Sequence, residues 1–514
     1  MKKIILFLSF ILWLQPQLFS QSKSALPHST PEAEGVSAQG IITFLDSVAQ
    51  SKHEFHSIML LRHGKVIAEG WWNPYRPDLK HSLYSLSKSF TATAVGFANA
   101  EHKLALNDKV ISFFPDQLPD TVSPYLSQLT VKDLLTMSVG QDPEPMSIGK
   151  DTNWVKGFLA SPIVHQPGTT FLYNSLATYM LSAIVQKVTG ERVIDYLKPR
   201  LFQPLGISGI DWETDPKGIN TGGWGLRLKT EDIAKFGQLF LQHGKWNGKQ
   251  ILPVGWVEEA STAKIIQHPS LPQSKRDSSD WEQGYCYQMW RCRHNAYRGD
   301  GAMGQYCIVL PDEDAVIAIT SETADMQGEL NLIWNILLPA MHKDKLPADQ
   351  SADAALQQKL ASLALNIPND HPASATINNI NGKTFNMESN DKHIQTMSFD
   401  FRNGTCALQI KTDTASYNLN FGSGKWQAGE TTMQGPYLVN AAHTLKGLPP
   451  FKIVGDYIWL DANTLKLVLR YIESPHTETM LCHFNDNGLT LEMRRSFNTN
   501  APGAISTLKG ATKQ

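Results

Sequence analysis

Cysteine is scarce in this chain, long apolar runs are missing beyond its first residues, and neither sign of charge prevails. Five cysteines in 514 residues (Cys286, Cys292, Cys307, Cys406 and Cys482), odd in number and without a Cys-x-x-Cys pair, exclude a disulfide-built scaffold and a thiolate zinc site. One bridge within the first three and a set of buried free thiols both fit their spacing. With 46 Lys+Arg against 48 Asp+Glu the formal net charge is −2, so no overall field draws nucleic acid or an acidic membrane surface. A Gly-x-Ser-x-Gly elbow and a His-Glu-x-x-His pair are both lacking, which removes the simplest α/β-hydrolase and zinc-protease readings. Hydrophobic residues at 42% against 18% charged describe a globular chain, long enough for several domains.

What is present begins with a leader pattern. Lys2 and Lys3 precede an eleven-residue apolar run from Ile4 to Leu14, and Ser20 closes the segment. A basic start, a short apolar core and a small residue near the end predict a secretory signal peptide over residues 1–20, hence a periplasmic or secreted protein. Eleven residues are too few to cross about 30 Å of hydrocarbon as a helix, so no membrane anchor is expected after the leader is removed.

Residues 25–342 mix helical and strand patterns. Residues 57–70 predict two strands joined at His63-Gly64, residues 87–98 and 176–188 predict buried helices, and residues 306–320 predict a strand, a turn and a strand. Residues 326–341 predict a closing helix. Residues 343–374, rich in Ala, Asp, Gln and Pro, read as a linker with at most one helix. Beyond them the pattern changes to period two. Met397, Phe399 and Phe401 alternate before Asn403-Gly404, as do Met480, Cys482 and Phe484 before Asn487-Gly488, so residues 375–514 are expected to form a separate antiparallel β domain, lipocalin-like in outline.

Three Ser-x-x-Lys patterns occur, at Ser85/Lys88, Ser147/Lys150 and Ser261/Lys264. Only the first opens an apolar helix. Three residues are nearly one turn, so the Lys88 amine reaches the Ser85 hydroxyl on one face. Burial and the helix N-terminus both lower the lysine pKa, and a neutral amine can take the serine proton. Taken alone, the motif equally describes a helix cap followed by a solvent lysine. Gly299-Asp300-Gly301-Ala302-Met303-Gly304 fits a dinucleotide fingerprint, but a strand follows where a helix is required.

Ordered segments surround Ser85: LALND at 104–108, LTVKDLLTMSVG at 129–140, PGTTFLYNS at 167–175, YLKPRLFQPLG at 196–206, GGWGLRLKTEDIAKFGQLFL at 222–241 and GAMGQ at 301–305. In this order they resemble the serine β-lactamase and DD-peptidase superfamily, in particular its class C-like branch of esterases and amide hydrolases such as 6-aminohexanoate-dimer hydrolases. The resemblance implies an α+β, transpeptidase-like fold: an antiparallel sheet flanked by helices, plus a helical subdomain. It implies Ser85 as nucleophile, Lys88 as its base, Tyr173 as proton relay, and the backbone N–H groups of Ser85 and Ala302 as oxyanion hole. No metal or cofactor is implied, and the partner is a small-molecule ester or amide substrate.

Departures from the family pattern concern substrate binding. Tyr-x-Asn reads Tyr173-Asn174-Ser175, so a hydroxyl replaces the amide unless Asn174 rotates in. Lys-Thr-Gly reads Gly299-Asp300-Gly301; the missing lysine argues against efficient β-lactam hydrolysis, and Arg298 either restores positive charge or is structural. Ser175, Asn174, Gly301, Arg298 and Trp290 are therefore the candidate substrate-binding residues. Residues 281–298, with Trp290, either line an acyl or sugar pocket or form an aromatic edge strand. β-Lactamase or D-amino-acid peptidase activity, and a non-catalytic sensor or carbohydrate-binding role, are the alternatives.

Overall fold

A computed structural model describes residues 26–146, 150–367, 373–439, 441, 448, 450–498, 501 and 504–512. The leader expected at 1–20 and the Ser147 pattern lie outside the described residues.

The first domain is organised by a six-stranded antiparallel sheet, in the order Lys65–Trp71, Glu54–Arg62, Ala315–Glu322, Gln305–Leu310, Tyr297–Gly301 and Trp290–Arg291. Its strands are apolar on both faces because both are covered. Ile58 and Leu60 pack with Ile317 and Ile319 under helix Ala38–Gln50. Met59 and Leu61 point the other way, into the core that contains helices Ser87–Ala100 and Thr230–Leu241. Glu54–Arg62 and Lys65–Trp71 meet through His63 and Gly64, with φ of 48° and 73°. Two positive-φ residues match the right-handed twist of the strands they join.

Chain between residues 100 and 206 builds the helical subdomain, whose long element is the 15-residue helix Ser175–Thr189. Helix Val131–Leu135 starts on a capping box in which the Thr130 and Asp133 side chains and backbones exchange hydrogen bonds. The closing segment forms as helix Met326–Leu332, continued by a wide turn and a 3₁₀ turn to Ala340. The segment expected as a linker contains helix Gln350–Ala361, and Leu356 and Leu360 are buried in the same core as Ile58. That stretch packs as part of the first domain.

The second domain is a ten-stranded antiparallel sheet, Thr384–Met387 to Ile505–Thr512, closed by a parallel pairing of Gly422 with Asp456 and Ser423 with Tyr457. The inward residues of the alternating pattern fill it: Met397, Phe399, Leu408, Leu419, Phe421, Leu467, Met480 and Leu491 share one core. Asn403 and Gly404 make the expected hairpin turn, both at positive φ. At the second hairpin Gly488 is the first strand residue and bonds to Asn485 in both directions, so Asp486 and Asn487, rather than Asn487-Gly488, occupy the turn centre. All five cysteines are free and buried, and none is bridged.

Candidate active site

The strand His81–Ser82 pairs with Leu226–Leu228, and Leu83 N–H donates to the Leu226 carbonyl. The chain then turns tightly through Tyr84–Leu86 into helix Ser87–Ala100. Ser85 sits at that turn, half-buried. Lys88, one turn on, is 1% exposed. Its Nζ is 3.1 Å from Ser85 Oγ, 3.1 Å from Ser175 Oγ and 2.7 Å from the Gly223 carbonyl. A neutral amine has two N–H bonds and one lone pair. The Gly223 carbonyl and the Ser175 hydroxyl accept the first two, so the lone pair is left toward Ser85. Burial lowers the Lys88 pKa to about 7, against the opposing pull of Glu144 and Asp300.

Tyr173 closes the constellation. Its ring lies 4.8 Å from Lys88 Nζ, and its hydroxyl interacts with the Ser85 side chain. Burial and the Asp300 carboxylate push its pKa up, so the phenol keeps its proton. Trp290 stacks on Tyr173 at 5.6 Å, with Tyr285 edge-on to both. Residues 281–298 thus supply an aromatic wall, part of it the edge strand Trp290–Arg291.

The strand Tyr297–Gly301 passes so close to the nucleophile turn that side chains do not fit. A Cβ on Gly299 would overlap Leu86 and Ser89, and one on Gly301 would overlap the Leu83 carbonyl. At the position that the sequence register gave to the family lysine, Gly299, a side chain would have to displace Leu86 and Ser89. Gly301 lies against the turn, and Ala302 follows it into the bend to Gln305.

Ser175 stands at Lys88. Asn174 does not. Its side chain caps helix Ser175–Thr189 by accepting from Ala177 N–H and donates to Gln141, which fixes it away from the amine. Arg298 is also not presented to substrate. It is fully buried, pairs with Asp300 at 2.8 Å, donates to the Asp280 carbonyl, and lies over Trp281. It neutralises Asp300 rather than restoring a cation to the cleft.

Two carboxylates had no role in the sequence reading. Glu144 accepts from the Ser175 N–H at the start of the long helix and faces Lys88; burial raises its pKa while Lys88 pulls it down. Asp300 sits behind the aromatic wall. The Gly223 carbonyl is the third missed group. Its signal was the Gly222-Gly223 pair, since a Cβ on Gly223 would overlap the Ser175 carbonyl and a side chain would bar the backbone from the amine.

A family model described as Beta-lactamase matches residues 48–339, more than half of the chain. The chain belongs to the Beta-lactamase family. Within this family, 6-aminohexanoate-dimer hydrolase of Paenarthrobacter ureafaciens is 26% identical over 319 residues, covering 58% of this chain and 80% of that protein. Among solved structures, EstCE1, a hydrolase with promiscuous acyltransferase activity, is 16% identical with a TM-score of 0.49, covering 58% of this chain and 99% of the other. The octameric penicillin-binding protein homologue from Pyrococcus abyssi is 16% identical with a TM-score of 0.47, covering 92% and 99%. This Beta-lactamase family member has the family's mixed α/β fold, followed by a closed β-barrel.

Proposed function

We propose that the protein is an exported serine hydrolase that cleaves a small ester or amide through an acyl-enzyme on Ser85. The observation behind this reading is the buried Lys88 amine, held by the Gly223 carbonyl and the Ser175 hydroxyl with Ser85 Oγ 3.1 Å away. Ser85 Oγ attacks the carbonyl carbon while Lys88 takes its proton, and the Ser85 and Ala302 N–H groups receive the oxyanion. As the tetrahedral intermediate collapses, Tyr173 donates its proton to the leaving alcohol or amine and regains one from Lys88. Water then attacks the acyl carbon with the same groups in reverse, freeing the acid and Ser85.

An ester or small amide is favoured over a β-lactam. Glu144 lies near the amine, the register position of the family lysine is Gly299, and Arg298 is spent on Asp300 rather than presented to a substrate anion. The amide side of the reading is supported by the relative named as a hydrolase of 6-aminohexanoate dimer. Export rests on the leader pattern of residues 1–20.

The test is intact-mass analysis after exposure to a fluorophosphonate, with peptide mapping and a Ser85→Ala control. A single adduct on Ser85, lost in the variant, is expected. A folded protein that takes no adduct would overturn the enzyme reading in favour of a non-catalytic binding role. For substrate class, a short-chain p-nitrophenyl ester is expected to turn over far faster than a cephalosporin; comparable rates would defeat the preference for an ester or small amide over a β-lactam.

A further inference from the structure

We infer that the barrel domain is a working part of the active site: its turn at residues 472–476, together with Tyr437, clamps Tyr84 and thereby sets the position of the Ser85 hydroxyl. The inference rests on reading Ser85 as the nucleophile.

Tyr84 directly precedes Ser85 and has φ of +44°. An aromatic residue in the left-handed region is strained and persists only where its surroundings over-determine it. The first domain contributes backbone bonds here, Leu83 N–H to the Leu226 carbonyl, Leu86 N–H to the Leu83 carbonyl and Ser87 N–H to the Tyr84 carbonyl. The side chain of Tyr84 is held by the other domain. Its hydroxyl is 2.5 Å from His476 Nε2, and its ring stacks on Tyr437 with centroids 5.3 Å apart and planes inclined by 27°. Two residues earlier, the Ser82 N–H donates to the Glu473 carbonyl at 3.0 Å.

Each of these barrel groups is itself pinned by the first domain. His476 is fully buried, and its Nδ1 is 2.7 Å from Glu322, the last residue of the strand Ala315–Glu322. A carboxylate only accepts, so Nδ1 carries the ring proton and Nε2 accepts from the Tyr84 hydroxyl. The Tyr437 hydroxyl donates to Glu213 at 2.6 Å. The Glu473 carboxylate faces Arg227 at 3.5 Å, on the strand that pairs with His81–Ser82. The barrel thus holds the residues just before the nucleophile by backbone, by ring and by hydrogen bond. His476 and Tyr437 touch no reacting atom; they are positioning residues. A turn displaced by about 1 Å is enough to slow acylation by about a hundredfold.

The test uses the full chain and compares His476→Phe, His476→Gln and Tyr84→Phe with the wild type. The readouts are the second-order rate of fluorophosphonate labelling at Ser85, kcat and KM on a p-nitrophenyl ester, and Tm. His476→Phe is expected to slow labelling and kcat by about tenfold or more while KM changes little. His476→Gln, whose amide oxygen accepts the same hydrogen bond, is expected to recover most of the rate. Tyr84→Phe keeps the stack on Tyr437 and removes only the hydroxyl, so it reports on the hydrogen bond even where His476→Phe fails to fold, with slower labelling expected again. Wild-type labelling rates in Tyr84→Phe and His476→Phe, whatever their Tm, would overturn the inference and leave Ser85 as nucleophile. A wild-type protein that takes no Ser85 adduct would overturn the reading of Ser85 and this inference together.

Discussion

The two domains treat buried polarity differently. The core of the barrel is one apolar cluster, and its strands alternate as a filled barrel requires. The first domain buries Lys88, Arg298, Asp300 and Glu213 within or behind its core. Burial raises the Glu213 pKa to about 8. In the barrel, Arg470, Glu473 and His476 are buried at one end, where they meet Glu54, Arg227, Glu322 and Tyr84 of the first domain. Chains depart from local rules at functional sites and obey them elsewhere. In both domains the departures lie on the side of the catalytic turn, and His476 and Glu473 reach Tyr84 and Ser82 directly.

The sharpest way to break this comparison is to remove a polar group from the first domain and an apolar one from the second. Lys88→Met is expected to lower kcat and Ser85 labelling by roughly a thousandfold, the scale of a lost general base. In the wild type, kcat/KM should rise with pH through about 7, because Lys88 is protonated and inert below its pKa and neutral above it. A rate independent of pH between 5 and 9 would remove Lys88 from the base role.

Leu467→Ala, inside the barrel, is expected to cost about 2–5 kcal/mol in urea denaturation of that domain. Labelling of Ser85 below the unfolding transition should stay at the wild-type rate. A large drop in that rate would show that the barrel core, and not only its end, is coupled to the nucleophile.

The smallest effect is expected from Glu144→Gln. The Glu144 carboxylate holds the Lys88 pKa up, so removing it lowers that pKa and moves the rising limb of kcat/KM to lower pH. A shift to higher pH would contradict the placement of Glu144 beside the amine.

Much of this was legible in the residues because the signals are local. Ser85 and Lys88 are one turn apart, and the Asn403-Gly404 hairpin declares itself through two residues that tolerate positive φ. The same kind of signal misled by one residue at Asn485, where two reciprocal backbone bonds close the turn before Gly488. Asn174 read as a ligand candidate because motif position does not say that the next helix will claim the side chain as its cap. The groups that escaped notice reach the site across long sequence separations. Glu144 meets Lys88, and His476 meets Tyr84, with no spacing rule to announce either. Helix Gln350–Ala361 looked like linker because its outer faces are polar, while only Leu356 and Leu360 commit it to a core.

The five buried thiols have a practical consequence. Three of them, Cys286, Cys292 and Cys307, lie in the first domain, and Cys406 and Cys482 lie inside the barrel. Burial pushes their pKa values up, so in the native state each is both shielded and protonated, the least reactive form of a thiol. A thiol-directed alkylating reagent therefore reads the breathing of each half of the molecule separately. Modification at Cys482 keeps time for the barrel and modification at Cys307 for the hydrolase sheet, without a single introduced probe.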